Sequence, residues 1–373
     1  MSAAHECFAI VAPGLEALAV SELVNLGARV VGRETGGVSF SATSSQLYAA
    51  NLHLRTVSRV IVRVARFRAT AFWELEKQAK LVPWDAFVPP GGSVTLSVTS
   101  RKSKLYHQRG IAERLTEAVR QQVSGASGSD SDAAQLFLVR VDHDQVGISA
   151  DSSGALLHQR GYRLDSGKAP LRETLAAAML LGAGWDGTAP LLDPFSGSGT
   201  IPIEAAMLAR RIPPGWRREF AFERWPGFDG DGWRRVKADA EERILPTAPA
   251  VIIGSDRDAG SIEAAQSNAA RADVQGSVQF ERRALSEVTP PAERGWLITN
   301  PPYGVRVGEA DRLRDLYARL GQVLSRMPGW SAGILAADAR LIGQTRLQLA
   351  EVWRGKNGGI PVRFMVSRRG VSG

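Results

Sequence analysis

Leu191-Leu192-Asp193-Pro194-Phe195-Ser196-Gly197-Ser198-Gly199-Thr200-Ile201-Pro202-Ile203-Glu204-Ala205-Ala206 is an apolar run that enters a glycine-rich turn and leaves it as a helix-forming run. A strand, a tight loop and a helix in that order open a βαβ unit. Glycines in such a turn let the backbone approach a bound molecule closely, and the helix start beyond them presents free N–H groups. Farther along, Trp296-Leu297-Ile298-Thr299-Asn300-Pro301-Pro302-Tyr303-Gly304 is again a short apolar strand that runs into a rigid polar loop. The two loops are predicted to lie side by side at the carboxyl ends of parallel strands, where open α/β sheets bind their ligands.

Asp193-Pro194-Phe195-Ser196-Gly197-Ser198-Gly199-Thr200 with Ile203-Glu204-Ala205-Ala206, followed by Asn300-Pro301-Pro302-Tyr303-Gly304, resembles the class I S-adenosylmethionine-dependent methyltransferases. The resemblance extends in particular to the THUMP-domain RNA methyltransferases, which modify the 2-amino group of guanine in ribosomal or transfer RNA. It covers nearly the whole chain. It implies an α/β fold, with a C-terminal Rossmann-like sheet of seven strands, the last antiparallel, preceded by α+β ferredoxin-like and THUMP domains. The implied divisions are 1–55 (ferredoxin-like), 56–163 (THUMP, binding RNA) and 164–373 (methyltransferase). The implied cofactor is S-adenosyl-L-methionine, and the implied partner is 23S ribosomal RNA or transfer RNA.

The bulk properties agree with that expectation. A chain of 373 residues has room for two or three domains. A net charge of +8 and a pI near 10.0 favour a polyanionic partner, although arginine-rich composition alone would raise both. Cys7 is the only cysteine, which excludes an intrachain disulfide and a cysteine-rich zinc site. The start Met1-Ser2-Ala3-Ala4-His5-Glu6 lacks the order of a signal peptide, and no apolar run reaches membrane-helix length. The expectation is a cytoplasmic monomer that uses neither metal nor membrane.

Taken in order, Cys7–Ala12 reads as a strand, and Leu15, Leu18, Ala19, Leu23 and Leu26 recur at helical spacing up to Gly27. Two strands across Gly36-Gly37 complete a β-α-β-β half of a ferredoxin-like unit. After a helix around Gln46–Leu54 and a strand from Val57 to Phe67, a helix over Phe72–Val82 and a strand over Ser93–Thr99 lead into Ser100-Arg101-Lys102-Ser103-Lys104-Leu105-Tyr106-His107. Arg101, Lys102, Lys104 and His107, with Tyr106 and Arg109 beside them, are the candidate RNA contacts, because such side chains bind phosphate without reading sequence. A solvated strand-to-helix corner is the bland alternative. Ser124–Ala134 reads as a surface loop, Leu136–Val141 with Gln145–Ala150 as a hairpin, and Asp165–Pro170 as a hinge. In the family, a segment such as Lys168-Ala169-Pro170-Leu171-Arg172-Glu173-Thr174 borders the cofactor.

Met207–Pro249 interleaves Arg210, Arg211, Arg217, Arg218, Arg224, Arg234 and Arg235 with Trp216, Phe220, Phe222, Trp225, Phe228 and Trp233. This mixture suits either an RNA-facing flap or a satellite core built from the aromatics. Strands at Val251–Gly254, Val278–Phe280, Trp296–Thr299 and Gly333–Ala336, and a terminal hairpin over Lys356-Asn357-Gly358-Gly359, complete the sheet. The stripe Leu313, Leu316, Tyr317, Leu320, Val323, Leu324 and Met327 reads as core.

The resemblance implies a role for each site residue. Gly197 and Gly199 give close approach to the methionine part, with Ser196 and Thr200 adding hydroxyl bonds. Asp193 attracts the ammonium or sulfonium. Asp256 accepts from the ribose hydroxyls, its alternative being a helix cap. Where many relatives carry an aspartate for adenine, this chain has Arg283, which cannot accept a hydrogen bond; the Ala284 backbone or Glu281 then becomes the adenine contact. Asn300 and the Pro301 carbonyl hold the target amine, Pro302 stiffens the loop, and Tyr303 stacks on the base. A nicotinamide dehydrogenase is disfavoured, because Pro202 stands where the third glycine or alanine of its fingerprint belongs. A catalytically inactive RNA-binding protein and an adenine 6-amino methyltransferase acting on RNA are the remaining rivals.

Overall fold

The computed structural model describes residues 4–129, 131, 133–163, 171–303 and 310–367. The expected hinge over 165–170, Lys168-Ala169-Pro170 within it, and Gly304 lie outside these residues. The chain separates into two units. One comprises Met1–Val11, Val20–Leu157 and Arg218–Ala238, and the other comprises Ala12–Ala19, His158–Arg217 and Asp239–Gly373.

In chain order the first half runs β1 (His5–Val11), α1 (Glu16–Asn25), β2 (Arg29–Glu34), β3 (Gly37–Ala42), α2 (Ser44–His53), β4 (Val57–Arg68), α3 (Phe72–Ala79), β5 (Ser93–Arg101), α4 (Gln108–Gln122), β6 (Ser127–Gly128), β7 (Gln135–Asp142) and β8 (Gln145–Asp151). The strands form one sheet in the order β2-β3-β1-β4-β8-β7-β5-β6. The β-α-β-β start is as expected from the sequence. Strand β4 pairs antiparallel with β1 along one edge and with β8 along the other. The ferredoxin-like part and the part that follows it therefore share a sheet. The expected loop after α4 contains β6, which pairs in parallel with the start of β5. Trp84 is fully buried in the core beneath α3 and α4 and donates through Nε1 to the Ala79 carbonyl at 2.9 Å.

The second half runs α5 (Glu173–Ala183), β9 (Leu191–Asp193), α6 (Thr200–Ala209), α7 (Gly230–Glu241), β10 (Ile252–Asp256), α8 (Ala259–Arg271), β11 (Gln279–Arg282), β12 (Gly295–Thr299), α9 (Ala310–Ser325), β13 (Trp330–Ala336), α10 (Ala339–Gln344), β14 (Ala350–Asn357) and β15 (Ile360–Ser367). Its seven strands lie in the order β11-β10-β9-β12-β13-β15-β14. The last, β15, runs antiparallel to both of its neighbours, as expected. Strand β13 is buried along its whole length, the signature of a parallel-sheet strand covered on both faces. From β9 the chain moves outward to β10 and β11, then returns to the other side of β9 with β12. That reversal is the topological switch point, and it puts the two motif loops next to each other.

The aromatic excursion is resolved in favour of packing. The stretch Arg218–Ala238 belongs to the first unit, where Phe222 stacks on Tyr48 at 4.5 Å and on Phe220 at 5.3 Å. Trp233 meets Phe222 edge-on at 5.4 Å. Trp225 meets Phe87 at 4.9 Å and donates to Gln135 Oε1 at 2.8 Å. Phe220, Phe222 and Trp233 are buried. They form a satellite core rather than an RNA-facing flap, because rings already stacked on one another have no free face for a base.

Candidate active site

The switch point opens into a cavity of about 1610 Å³ lined from both motif loops. The glycine loop is held from beneath by the ends of neighbouring strands. Ser196 N–H donates to the Ser255 carbonyl at 3.0 Å, and Gly197 N–H donates to Asp256 Oδ2 at 3.1 Å. The other oxygen of Asp256 accepts from Asp258 N–H at 3.0 Å. The cap of α8 is Asp258, which accepts from Ser261 N–H at 2.7 Å. Asp256 is therefore not the helix cap, and its carboxylate stays at the cavity wall.

The two glycines differ. Gly197, at φ +50°, lines the cavity, and a Cβ there would meet nothing within 4 Å. At Gly199, φ is +86°, and a Cβ would come within 2.8 Å of the Phe280 ring and 3.0 Å of Ala265. Gly199 is not among the residues lining the cavity; internal packing and the left-handed start of α6 require it. Thr200 lines the cavity, and its hydroxyl accepts from Arg163 at 3.0 Å. The Ser196 hydroxyl is buried without a hydrogen-bond partner among the described residues.

Asp193 joins the two motifs. It is buried at the end of β9, where Oδ1 accepts from the Thr299 hydroxyl at 2.6 Å and from Phe195 N–H at 3.1 Å. Burial pushes its carboxyl up to about 7, and the nearby charge of Asp256 adds to the rise against these hydrogen bonds. Beyond Thr299, Asn300, Pro301, Pro302 and Tyr303 all line the cavity. Asn300 Oδ1 is buried with no hydrogen-bond partner among the described residues. An orphaned buried acceptor is costly unless a ligand satisfies it. Tyr303 is half-buried, and its hydroxyl accepts from Asn357 Nδ2 at 2.8 Å.

At the other end, Arg283 lines the cavity and pairs with Glu281 at 2.8 Å. Glu281 is not among the lining residues. Ala284 lines the cavity, but its N–H already donates to Glu287 Oε2 at 3.1 Å. The backbone donor expected to read adenine is thus committed, and the surface offered there is Ala284, Leu285 and Ser286. Sequence reasoning missed lining residues that come from distant segments: Asn357, Gly358 and Ile360 of the β14–β15 hairpin, and Arg312 and Arg319 on α9. No local motif marks them. Leu313 and Leu316, read as core, also face the cavity.

In the first unit, Arg101 ends β5 and Lys102, Lys104 and His107 follow on the β5–α4 loop, all four exposed. Lys104 N–H donates to Asp144 Oδ1 at 2.8 Å, and Asp144 N–H donates to Ser103 Oγ at 3.0 Å, which pins the loop to the β7–β8 turn. Leu105 anchors it in the core. Tyr106 is 66% exposed, with its ring 4.0 Å from that of His107.

Residues 160–362 match the family model described as RMKL-like, methyltransferase domain, and residues 6–61 match the RlmL ferredoxin-like domain. The chain is 36% identical over 365 residues to slr0064 of Synechocystis sp. (strain ATCC 27184 / PCC 6803 / Kazusa), named as a candidate RNA methyltransferase, with 96% of this chain and 95% of that protein covered. It is 34% identical to the ribosomal RNA large subunit methyltransferase K/L of Methylococcus capsulatus (strain ATCC 33009 / NCIMB 11132 / Bath), over 100% of this chain but 53% of that enzyme, so it spans about half the length of the K/L protein. The crystal structure of SMU.472, a candidate methyltransferase complexed with SAH, superposes with a TM-score of 0.91 at 28% identity over 100% of both chains. The cavity suits such a ligand: it has open space above Gly197, a carboxylate at Asp256 and unpartnered polar atoms on Ser196 and Asn300. The chain belongs to the RMKL-like methyltransferase family and is a class I enzyme that uses S-adenosylmethionine.

Proposed function

We propose that this enzyme methylates the exocyclic 2-amino group of a guanine in ribosomal or transfer RNA. The carrying observation is the buried Oδ1 of Asn300, without a hydrogen-bond partner among the described residues, in the cavity that holds the glycine loop. The bound cofactor supplies an electrophilic methyl group. An aromatic amine is a weak nucleophile, because its lone pair is delocalised into the ring. Asn300 Oδ1 accepts one amine hydrogen and the Pro301 carbonyl accepts the other, which turns the lone pair toward the methyl carbon. Pro301 and Pro302 stiffen this loop, and Tyr303, held by Asn357, stacks on the base. Catalysis is then positioning and electrostatics in an in-line displacement, and a base buried in a stem must first be flipped out.

For the cofactor, Asp193, Ser196, Gly197 and Thr200 surround the methionine part, Asp256 accepts from the ribose hydroxyls, and Ala284 lies against adenine. Gly199 acts by shaping the loop. Residues 56–163 serve as a THUMP-like RNA-holding part through Arg101, Lys102, Lys104 and His107, and 164–373 carry the chemistry. The RNA partner follows from the basic charge and from the names of the relatives. We read the enzyme as working in the cytoplasm as a monomer.

The test is methyl transfer from labelled S-adenosylmethionine to size-fractionated RNA from a deletion strain, with the product digested and weighed as nucleosides. Guanosine methylated on its 2-amino nitrogen is the expected product, and Asn300→Ala should bind cofactor but lose transfer. Methyladenosine would overturn the base assignment. Full activity of Asn300→Ala would remove Asn300 from the mechanism.

A further inference from the structure

Helix α9 presents Arg312, Leu316 and Arg319 to the same cavity as the Asn300–Tyr303 loop. Their spacing of four and then three residues puts all three on one helix face. Both arginines are exposed. Neither has an ion pair or hydrogen bond among the described residues, whereas Arg314, on another face, pairs with Asp311 at 3.0 Å. Asp315, four residues before Arg319, engages neither of them. Two guanidinium groups with no partner among the described residues thus flank a leucine at the wall of a cavity that has Tyr303, Asn357 and Ile360 among its other lining residues.

We propose that this face is the phosphate rail of the acceptor strand: Arg312 and Arg319 bind the RNA phosphates on either side of the target nucleotide, and Leu316 packs against its sugar. The inference rests on the methyl-transfer reading above. Seven helical residues separate the two Cα atoms by about 10 Å along the axis, enough to bracket a nucleotide. Guanidinium forks suit phosphate oxygens. The occupant is a polyanion rather than the cofactor, because the acids and glycines that suit the cofactor line the cavity from β9 and β10. These contacts carry no sequence information; they aim the strand so that the base enters the slot beside Tyr303.

The test uses the full chain saturated with S-adenosylhomocysteine. RNA affinity is measured against salt concentration for wild type, for Arg312→Gln/Arg319→Gln and for the control pair Arg314→Gln/Arg243→Gln, which removes equal charge from α9 and from the exposed segment after α7 at two residues that do not line the cavity. Methyl transfer is measured in parallel. The rail variant should keep cofactor affinity, should lower the salt slope by about 1.5, and should lose about tenfold or more in kcat/KM for RNA. The control pair should change neither by a comparable amount. An unchanged slope and kcat/KM in the rail variant would overturn the inference and leave the methyl-transfer reading standing, as would equal losses in both pairs. A wild-type enzyme that methylates no RNA would overturn the parent reading, and this inference with it.

Discussion

Of the three carboxylates that line the cavity among the described residues, Asp193 alone is sealed from solvent. Burial holds its carboxyl at about 7, far above the usual aspartate range. The folded protein therefore binds a proton that the unfolded chain has already released, so stability falls as pH rises from about 4 to about 7 and levels off above. A ligand carrying an ammonium and a sulfonium needs the ionised form. Its affinity should fall by roughly tenfold per pH unit below about 7 and stay flat above it, with proton release on binding measurable by calorimetry in buffers of different ionisation enthalpy. Asp193→Asn should bind weakly at every pH, and a flat wild-type profile between pH 5.5 and 8 would mean that Asp193 does not face the cation. The glycines give a second contrast. Gly199→Ala must push Phe280 and Ala265 aside at a positive φ, and should cost about 2 kcal/mol by chemical denaturation. Gly197→Ala meets open space, so its cost is about 1 kcal/mol of backbone strain, and its main effect is to place a methyl group in the cavity and weaken cofactor binding.

At the level of elements, the sequence was most legible where one short segment holds both pattern and chemistry. The β9 loop and the β12 loop are each read from contiguous residues, and their adjacency follows from the rule for parallel sheets. What escaped was assembled from afar: Asn357 reaches Tyr303 across 54 positions. The sequence cue that the Ala284 N–H belongs to Glu287 is a glutamate three residues on, at the N3 position of a capping box, a pattern too common to single out by itself. The aromatic excursion was ambiguous for a related reason, since composition does not say whether rings face each other or solvent. It also yields a separable outcome. Trp233→Ala removes a buried ring from the Tyr48–Phe220–Phe222 cluster, and should cost about 3 kcal/mol or more with cofactor affinity intact in the folded protein. Loss of RNA binding at unchanged stability would restore the flap. Asn357→Ala should leave stability and cofactor affinity nearly intact but lower kcat, because the Tyr303 ring loses its tether; an unchanged kcat would mean that the ring is set by packing alone.

At the scale of the whole molecule, the net charge of +8 becomes specific once the arginines are placed on strands. On β4, β5 and β7 of the first unit, register puts Arg66 opposite Gly147, Gly147 opposite Arg140, and Thr99 opposite Arg140, with Arg101 one step on along the same face. The missing Cβ of Gly147 leaves room for the Arg63 guanidinium, since a methyl group there would lie 2.8 Å from its Nη1. Burial lowers the Arg63 pKa, and repulsion from Arg66 and Arg140 adds to the drop against the pull of Glu6 and Glu34. Part of this charge is balanced, because Arg63 pairs with Glu6 at 3.7 Å and Arg140 with Asp142 at 3.4 Å, and Asp142 also lies opposite Arg101; the excess positive charge that remains favours a polyanion. The β5–α4 loop continues the same sign with Lys102 and Lys104. Since phosphate contacts hold RNA but do not carry out the reaction, Lys102→Gln/Lys104→Gln should raise KM for RNA several-fold and reduce the salt slope by about 1.5. The same variant should leave kcat at saturating RNA, and cofactor affinity, at wild-type values. A fall in kcat with unchanged KM would place these lysines in the chemical step instead. Unchanged kinetics and slope would return the loop to a solvated corner of the fold.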